Sequence, residues 1–111
     1  MNTQHFSRVN AGVKIAVLVV TGLLSLSAQA SEALARKNDC LGCHAVATKL
    51  VGPAFKDVAA KYAGQSDAQA MLVQSIRNGS VGKWGDLPMP AHPKLSEADA
   101  RSLAAWVLKA K

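Results

Sequence analysis

The feature that most constrains this chain is a pentapeptide, CLGCH at residues 40–44. It contains both cysteines of the 111-residue chain and one of its three histidines. Four kinds of chemistry use two thiols at this spacing: a disulfide, a redox-active dithiol, a zinc site and covalent attachment of a haem. Each makes a different demand on the rest of the sequence, which therefore distinguishes them.

Three of these chemistries fit poorly. A disulfide between Cys40 and Cys43 would close a very short loop and restrict the unfolded chain little. Redox-active C-x-x-C pairs are expected beside a βαβ pattern, which this sequence lacks. A zinc site would need His92 or His5 as a further ligand. The adjacent Cys43 and His44 also differ from the spaced ligand pairs of zinc sites.

The fourth chemistry fits, because C-x-x-C-H is the signature of covalent c-type haem attachment. Two thiols a helical turn apart can add to the two vinyl groups of one porphyrin, so Cys40 and Cys43 are the predicted attachment sites. The residue after the second thiol then lies under the ring, and His44 is the predicted proximal iron ligand. The motif therefore predicts one haem c, held by two thioethers.

The first 30 residues are predicted to be a secretory signal peptide. Arg8 and Lys14 form a basic n-region, an apolar run of about a dozen residues follows, and AQA at residues 28–30 has the small-x-small form of a cleavage site. A membrane anchor is the alternative, but such a run is short for a span of about 20 residues. We expect an exported, periplasmic protein without stable membrane insertion, whose residues 31–111 form one domain.

Without that segment the chain has 81 residues, near the lower limit for a domain stabilised by its own core. It keeps only four aromatic residues, which are Phe55, Tyr62, Trp84 and Trp106. Domains this small use disulfides, a metal or a large buried cofactor, so the haem is expected to fill the middle of the fold. Loss of Arg8 and Lys14 leaves a net charge of +4. Nucleic-acid binding is not indicated, because the sequence has no motif for it.

Apolar periodicity predicts an all-α fold of about four short helices around the haem. These are placed at about Glu32 to Asp39, within PAFKDVAAKYAG at residues 53–64, at Ser66 to Asn78, and from about Ser96 to Ala110. Ser66 and Gln69 are predicted to form a capping box at the start of the third helix. No strand alternation, internal repeat or low-complexity linker follows Ala30.

The second axial position of the iron has three candidates: Met71, Met89 and His92. Met71 lies on an apolar face of the third helix and is interpreted as a core residue. Met89 lies between Pro88 and Pro90, which cannot continue a helix and favour a stiff loop that can hold a thioether over the haem. Met89 is therefore the predicted ligand. A methionine that merely packs in a surface turn, and His92 as the ligand, are the alternatives.

Two segments, CLGCHAVATKLVGPAFKDVAAKYAG and IRNGSVGKWGDLPMP, resemble the bacterial monohaem cytochrome c-551 family, also called cytochrome c8, of the class I cytochromes c. The resemblance covers essentially all of residues 31–111. It implies a compact all-α fold in which the N- and C-terminal helices cross and the haem edge is partly exposed. It also implies thioethers from Cys40 and Cys43, with His44 and Met89 as axial ligands.

The resemblance assigns two further residues to haem binding. The Pro53 carbonyl would accept the other ring proton of His44, and the Trp84 indole would donate to a haem propionate. Pro53 could instead simply start a helix. Two positions depart from the family pattern: Ser75 stands where a basic residue can assist the propionate, and His92 stands where an asparagine is common.

The function implied is that of a periplasmic electron carrier, not an enzyme. Iron held by both His44 and Met89 has no free site for a substrate. Redox proteins are the expected partners of a monomer, and the resemblance suggests nitrite reductases or terminal oxidases. Four lysines either orient docking on acidic partners or only solvate the surface: Lys49, Lys56, Lys61 and Lys83. The alternatives are a haem-based sensor or small haem enzyme with a displaceable Met89, and a non-haem thiol or zinc module.

Overall fold

The helices described here belong to a computed structural model of the chain, which describes residues 26–111. Helix α1 is described over residues 26–37, and it is followed by α2 (Cys40–Cys43), α3 (Phe55–Tyr62), α4 (Ala68–Asn78) and α5 (Glu97–Leu108). No strand occurs in this part of the chain, where a single isolated antiparallel bridge joins Ser80 to Met89. The all-α class expected from the sequence is confirmed.

Most of the predicted signal peptide lies outside the described residues, which include only its last part, residues 26–30. Helix α1 already includes residue 26, whereas the first helix was expected from about Glu32. None of the helices in residues 26–111 is both long and apolar enough to cross a membrane.

Helix α3 forms where apolar residues recur at helical spacing. Phe55, Val58 and Tyr62 follow the i, i+3, i+7 pattern, and all three are buried. The N–H group of Phe55 donates to the carbonyl of Ala45 (2.9 Å). This bond joins the start of α3 to the chain just after the CLGCH motif.

Helix α4 begins at Ala68 rather than Ser66, because the predicted capping box does not form. Ser66 and Asp67 lie in a turn, and the Asp67 side chain makes no capping bond. The Gln69 amide Nε2 donates instead to the carbonyl of Arg101 on α5 (3.0 Å). The side chain that would have closed the box therefore joins α4 to α5.

Helix α5 begins as the sequence predicts and forms the packing surface for α3 and α4. Its N-cap Ser96 accepts a hydrogen bond from the Asp99 N–H group (3.1 Å). The buried residues Leu103 and Val107 lie on the side that meets α3 and α4. Trp106 is half-buried, and its ring meets the Phe55 ring edge-on at 5.3 Å between centroids.

The most deeply buried residues of the described chain have small side chains. Only alanines reach zero exposure, namely Ala35, Ala54, Ala100 and Ala104, and no large side chain is fully buried. Ala35 of α1 belongs to the same core cluster as Ala100 and Ala104 of α5. A core without a fully buried large residue indicates that the interior contains unfilled space.

Candidate haem-binding site

Two adjoining cavities occupy that space, with volumes of about 590 Å³ and about 230 Å³. The residues that line both are Cys43, His44, Phe55, Ile76, Met89, Pro90 and Val107. The larger cavity alone is within the roughly 300–1,000 Å³ of typical ligand sites. The interior therefore has room for a large organic cofactor at the place where the motif lies.

The two cysteines lie on helix α2, one turn apart, at the edge of these cavities. Both are free thiols, with Cys43 exposed and Cys40 half-buried. Burial raises the pKa of the Cys40 thiol, and the nearby charge of Asp39 acts in the same direction. Asp39 has φ 58°, a left-handed conformation that turns the chain from α1 into α2. This arrangement leaves both sulfur atoms available for thioether bonds to one ring.

His44 follows α2 in an extended conformation and lines both cavities. Its Nδ1 lies 2.7 Å from the Pro53 carbonyl oxygen. Because a carbonyl can only accept, Nδ1 carries the proton and Nε2 is the nitrogen free to bind a metal. The Phe55 ring stacks on the imidazole at 5.0 Å between centroids and 18° between planes. The carbonyl and the ring together fix the orientation of His44.

Gly52 explains how the backbone comes so close to this imidazole. A Cβ atom at Gly52 would lie 2.5 Å from His44 Cε1 and 3.0 Å from Nε2. The Gly52 N–H group also donates to the Cys43 carbonyl (2.7 Å), which closes the intervening loop onto the motif. Sequence reasoning missed Gly52, although its position directly before Pro53 was the available signal.

Met89 reaches the cavities from the loop between α4 and α5. Its N–H group donates to the Ser80 carbonyl (2.8 Å), and the Ser80 N–H group donates to the Met89 carbonyl (3.1 Å). Gly79, at the end of α4, has φ 77° and ψ 174°, a conformation that strongly favours glycine. A Cβ atom there would lie 2.7 Å from the Met89 carbonyl oxygen. The end of α4, as well as the flanking prolines, therefore positions Met89.

The two other candidate ligands lie differently. Met71 is half-buried against the core cluster and lines neither cavity. His92 lines only the smaller cavity, and its N–H group donates to the Ile76 carbonyl (3.0 Å). Its Nδ1 lies 3.3 Å from the same oxygen. The contacts of His92 therefore hold the end of the methionine loop to α4.

The zinc alternative lacks a ligand set in the structure. Within residues 26–111, no group of three His, Cys, Asp or Glu side chains is arranged to hold a metal ion. A zinc site is therefore not supported by the arrangement of the described residues.

Trp84 lies at the rim of the larger cavity with 39% of its surface exposed. The Lys61 ammonium lies 4.3 Å from the centroid of the indole and donates to the Lys83 carbonyl (2.8 Å). Across the described part of the chain, the indole N–H group has no hydrogen-bond partner. It is available to a polar group in the cavity.

Residues 28–111 match the family model described as Cytochrome c. Cytochrome c-552 of Nitrosomonas europaea is 54% identical over 84 residues, which are 76% of this chain and 82% of that protein. Cytochrome c-551 of Pseudomonas aeruginosa is 50% identical over 97 residues, or 85% of this chain and 92% of that protein. The crystal structure of wild-type Nitrosomonas europaea cytochrome c552 has a TM-score of 0.70 at 52% identity, covering 72% of this chain and 99% of that one.

Proposed function

Since this chain belongs to the cytochrome c family and carries one covalently attached haem c, we propose that it is a periplasmic electron carrier with His44 and Met89 as axial ligands. Cys40 and Cys43 form the thioethers in this proposal. Electron transfer between redox partner proteins, rather than catalysis, is the activity of the family.

The observation that carries the proposal is the meeting of His44 and Met89 at the same two cavities. Among the residues that line both cavities, only these two and Cys43 have a side-chain donor atom for iron. Cys43 is assigned to a thioether. One imidazole nitrogen and one thioether sulfur therefore remain as the axial pair.

The haem would supply a one-electron ferrous/ferric couple, and the surrounding protein would determine its reduction potential. The soft, neutral sulfur of Met89 favours ferrous iron and raises the reduction potential relative to two histidines. The Nδ1–H bond to the Pro53 carbonyl fixes the His44 ring and increases its basicity as a ligand. With both axial positions filled by the chain, no position is open to a substrate.

The proposal also includes export, with residues 1–30 as a cleaved signal peptide and 31–111 as the cytochrome c domain. The family match begins at residue 28, close to the proposed start of the domain. Mass measurement of the protein from a periplasmic extract tests it. A chain that begins at Ser31 and carries one haem is expected, whereas a protein that keeps residues 1–30 and stays in the membrane fraction contradicts cleavage and supports the membrane anchor. The partners proposed are respiratory redox proteins, such as a nitrite reductase or a terminal oxidase, which meet a monomeric carrier.

Met89→Ala tests the axial pair. The substitution should leave both thioethers and His44 in place and remove one ligand. Wild-type protein is expected to show a low-spin six-coordinate spectrum and slow cyanide binding. The variant should bind cyanide faster and have a lower reduction potential, because the sulfur that favoured ferrous iron is gone.

Met71→Ala is the matched control. Since Met71 is only half-buried, its loss should cost less than the roughly 2–5 kcal/mol of a fully buried methionine and leave the haem spectrum unchanged. Rapid cyanide binding by the wild type, or an unaltered spectrum and potential in Met89→Ala, would favour the haem sensor or enzyme instead.

A further inference from the structure

Ser75 is a buried polar residue of helix α4, and its hydrogen-bond partner is a lysine. Its hydroxyl accepts a hydrogen bond from the Lys83 ammonium at 3.0 Å. Lys83 is an exposed residue, yet its ammonium group donates to this buried neutral hydroxyl and not to a carboxylate. Hydrogen bonds between an ammonium group and an anion are stronger than those to a neutral hydroxyl, so an anion within reach would stabilise this position further.

The backbone at Lys83 is held in place by α3. The Lys61 ammonium donates to the Lys83 carbonyl and lies over the neighbouring Trp84 indole. Ser75, Lys83 and Trp84 all line the larger cavity. The loop thus presents an ammonium group and an indole N–H group at one rim of the same space.

No carboxylate of the described residues pairs with this ammonium. The ion pairs there join Arg36 to Glu32, and Arg77 and Arg101 to Glu97. The other charged residues that line the larger cavity are Lys49, Asp57 and Asp86, and neither aspartate is within ion-pair distance of Lys83. An ammonium group has three donors, of which Ser75 takes one, so two donors remain for a group in the cavity.

Haem c carries two propionate carboxylates at its edge. We propose that Lys83 binds one haem propionate beside Trp84, and that Ser75 holds the ammonium group in reach of it. This inference rests on the haem of the proposed function. It also explains the departure at position 75, because the cation comes from the loop instead of from α4.

The two positions depend on each other. A longer basic side chain at position 75 would occupy the space of the Ser75 hydroxyl, to which the Lys83 ammonium now donates, and bring a second cation into the same part of the cavity. Like charges so close repel strongly. The small hydroxyl is therefore the residue that admits Lys83.

Such a cation affects the iron as well as the carboxylate. Ferrous haem carries one positive charge less than ferric haem, so a neighbouring ammonium group favours the ferrous state. Lys83 then raises the reduction potential through its charge. Lys49 and Lys56, which have no side-chain partner in the described residues, remain the candidates for partner docking.

The test uses the full holoprotein and its midpoint potential at fixed pH and ionic strength. Lys83→Gln should shift the ferrous/ferric equilibrium roughly threefold towards ferric, or about 30 mV at 59 mV per tenfold for one electron. Lys83→Arg should keep the wild-type potential because it keeps the charge. The control Lys109→Gln removes an exposed charge that lines neither cavity, and it should shift the equilibrium by less than a third as much.

A charge exchange sharpens the test. The double variant Ser75→Arg, Lys83→Val moves the cation to α4 and should restore most of the potential lost in Lys83→Gln. The proposal is overturned if Lys83→Gln behaves like Lys109→Gln, or if Lys83→Arg loses as much potential as Lys83→Gln, which would indicate packing rather than charge.

The haem spectrum of each variant separates this inference from the proposed function. If Lys83→Gln keeps the wild-type potential and a low-spin six-coordinate spectrum, only the role of Lys83 is overturned. A wild-type protein without that spectrum overturns the axial pair. A crystal structure of the holoprotein gives a direct answer: a Lys83 Nζ within about 3.5 Å of a propionate oxygen supports the contact, and a longer distance overturns it.

Discussion

At the scale of single residues, the imidazole of His44 is positioned by neighbours outside its own motif. The Pro53 carbonyl, the Phe55 ring and the bare backbone at Gly52 surround it. The motif identifies His44 as the predicted iron ligand, but the orientation of its ring depends on residues 52–55. The proximal side of the site is therefore shared between two segments joined by a loop.

Gly52→Ala should disturb this arrangement, because the new Cβ would lie 2.5 Å from His44 Cε1. We expect the ring to be displaced from Pro53, and the free energy of unfolding to fall by roughly 1–3 kcal/mol, as for other overpacked sites. Denaturant unfolding of the holoprotein measures it.

Gly42→Ala is the control for Gly52→Ala, since a Cβ at Gly42 would meet nothing within 4 Å. Gly42 also lies inside helix α2, where alanine is favoured over glycine by roughly 0.5–1 kcal/mol. Equal destabilisation by the two substitutions would show that the contact with His44 is not the cause.

At the scale of elements, helix α4 holds both the core and the methionine loop. Its first turn is joined to α5 through Gln69, and its last turn accepts the His92 N–H group at Ile76. The bridge between Ser80 and Met89 follows directly after Gly79. A change at the end of α4 should therefore alter iron ligation without touching a ligand.

Gly79→Ala tests this connection, with Gly64→Ala as the control. Both glycines have φ 77°, so an alanine is strained at either position by roughly 1–3 kcal/mol. Only at Gly79 would the Cβ also approach the Met89 carbonyl, at 2.7 Å, whereas at Gly64 it would meet nothing within 4 Å. Gly79→Ala should accelerate cyanide binding, and Gly64→Ala should lower stability alone. Identical rates of cyanide binding in the two variants would show that the end of α4 does not position Met89.

Local patterns predicted the helices well where the deciding interactions are local. The Ser96 cap and the apolar spacing in α3 are examples. The prediction of a capping box at Ser66 was wrong, because the Gln69 side chain donates to Arg101 on α5, 32 residues away in the chain. The close approaches at Gly52 and Gly79, and the bond between Lys83 and Ser75, depend on the folded loops and have no short-range signature.

At the scale of the whole molecule, the protein part of the core is incomplete. The larger cavity, of about 590 Å³, leaves a broad apolar surface that no side chain of the described residues covers. Apolar surface left in contact with water contributes nothing to the stability of the fold. The chain is therefore not expected to keep its fold around an unfilled interior.

Replacing both Cys40 and Cys43 by serine tests this expectation in the full chain. Without thioethers the haem should be lost, and the chain should show reduced helicity and no cooperative thermal transition. Circular dichroism measures both, with the haem-loaded wild type as the reference. An apoprotein that remained fully helical and melted cooperatively would disprove the role of haem as core.

Surface charge gives a second prediction for the whole molecule. Residues 31–111 carry a net charge of +4, and electron transfer to an acidic partner should slow as salt screens the attraction. Replacing Lys49 and Lys56 with glutamine should reduce this salt dependence more than the same changes at Lys109 and Lys111. Stopped-flow rates over a range of ionic strength are the measurement. Rates that stay flat or rise with salt would exclude electrostatic steering.

Because the two ends of the described chain share one core, the protein can fold only late in its synthesis. Ala35 packs in the same cluster as Ala100, which is 65 residues later. Contacts this distant in sequence cannot form until almost the whole chain has been synthesised. The nascent polypeptide therefore has no finished domain while its N-terminal part emerges from the ribosome, and it stays in the unfolded form that the proposed export requires.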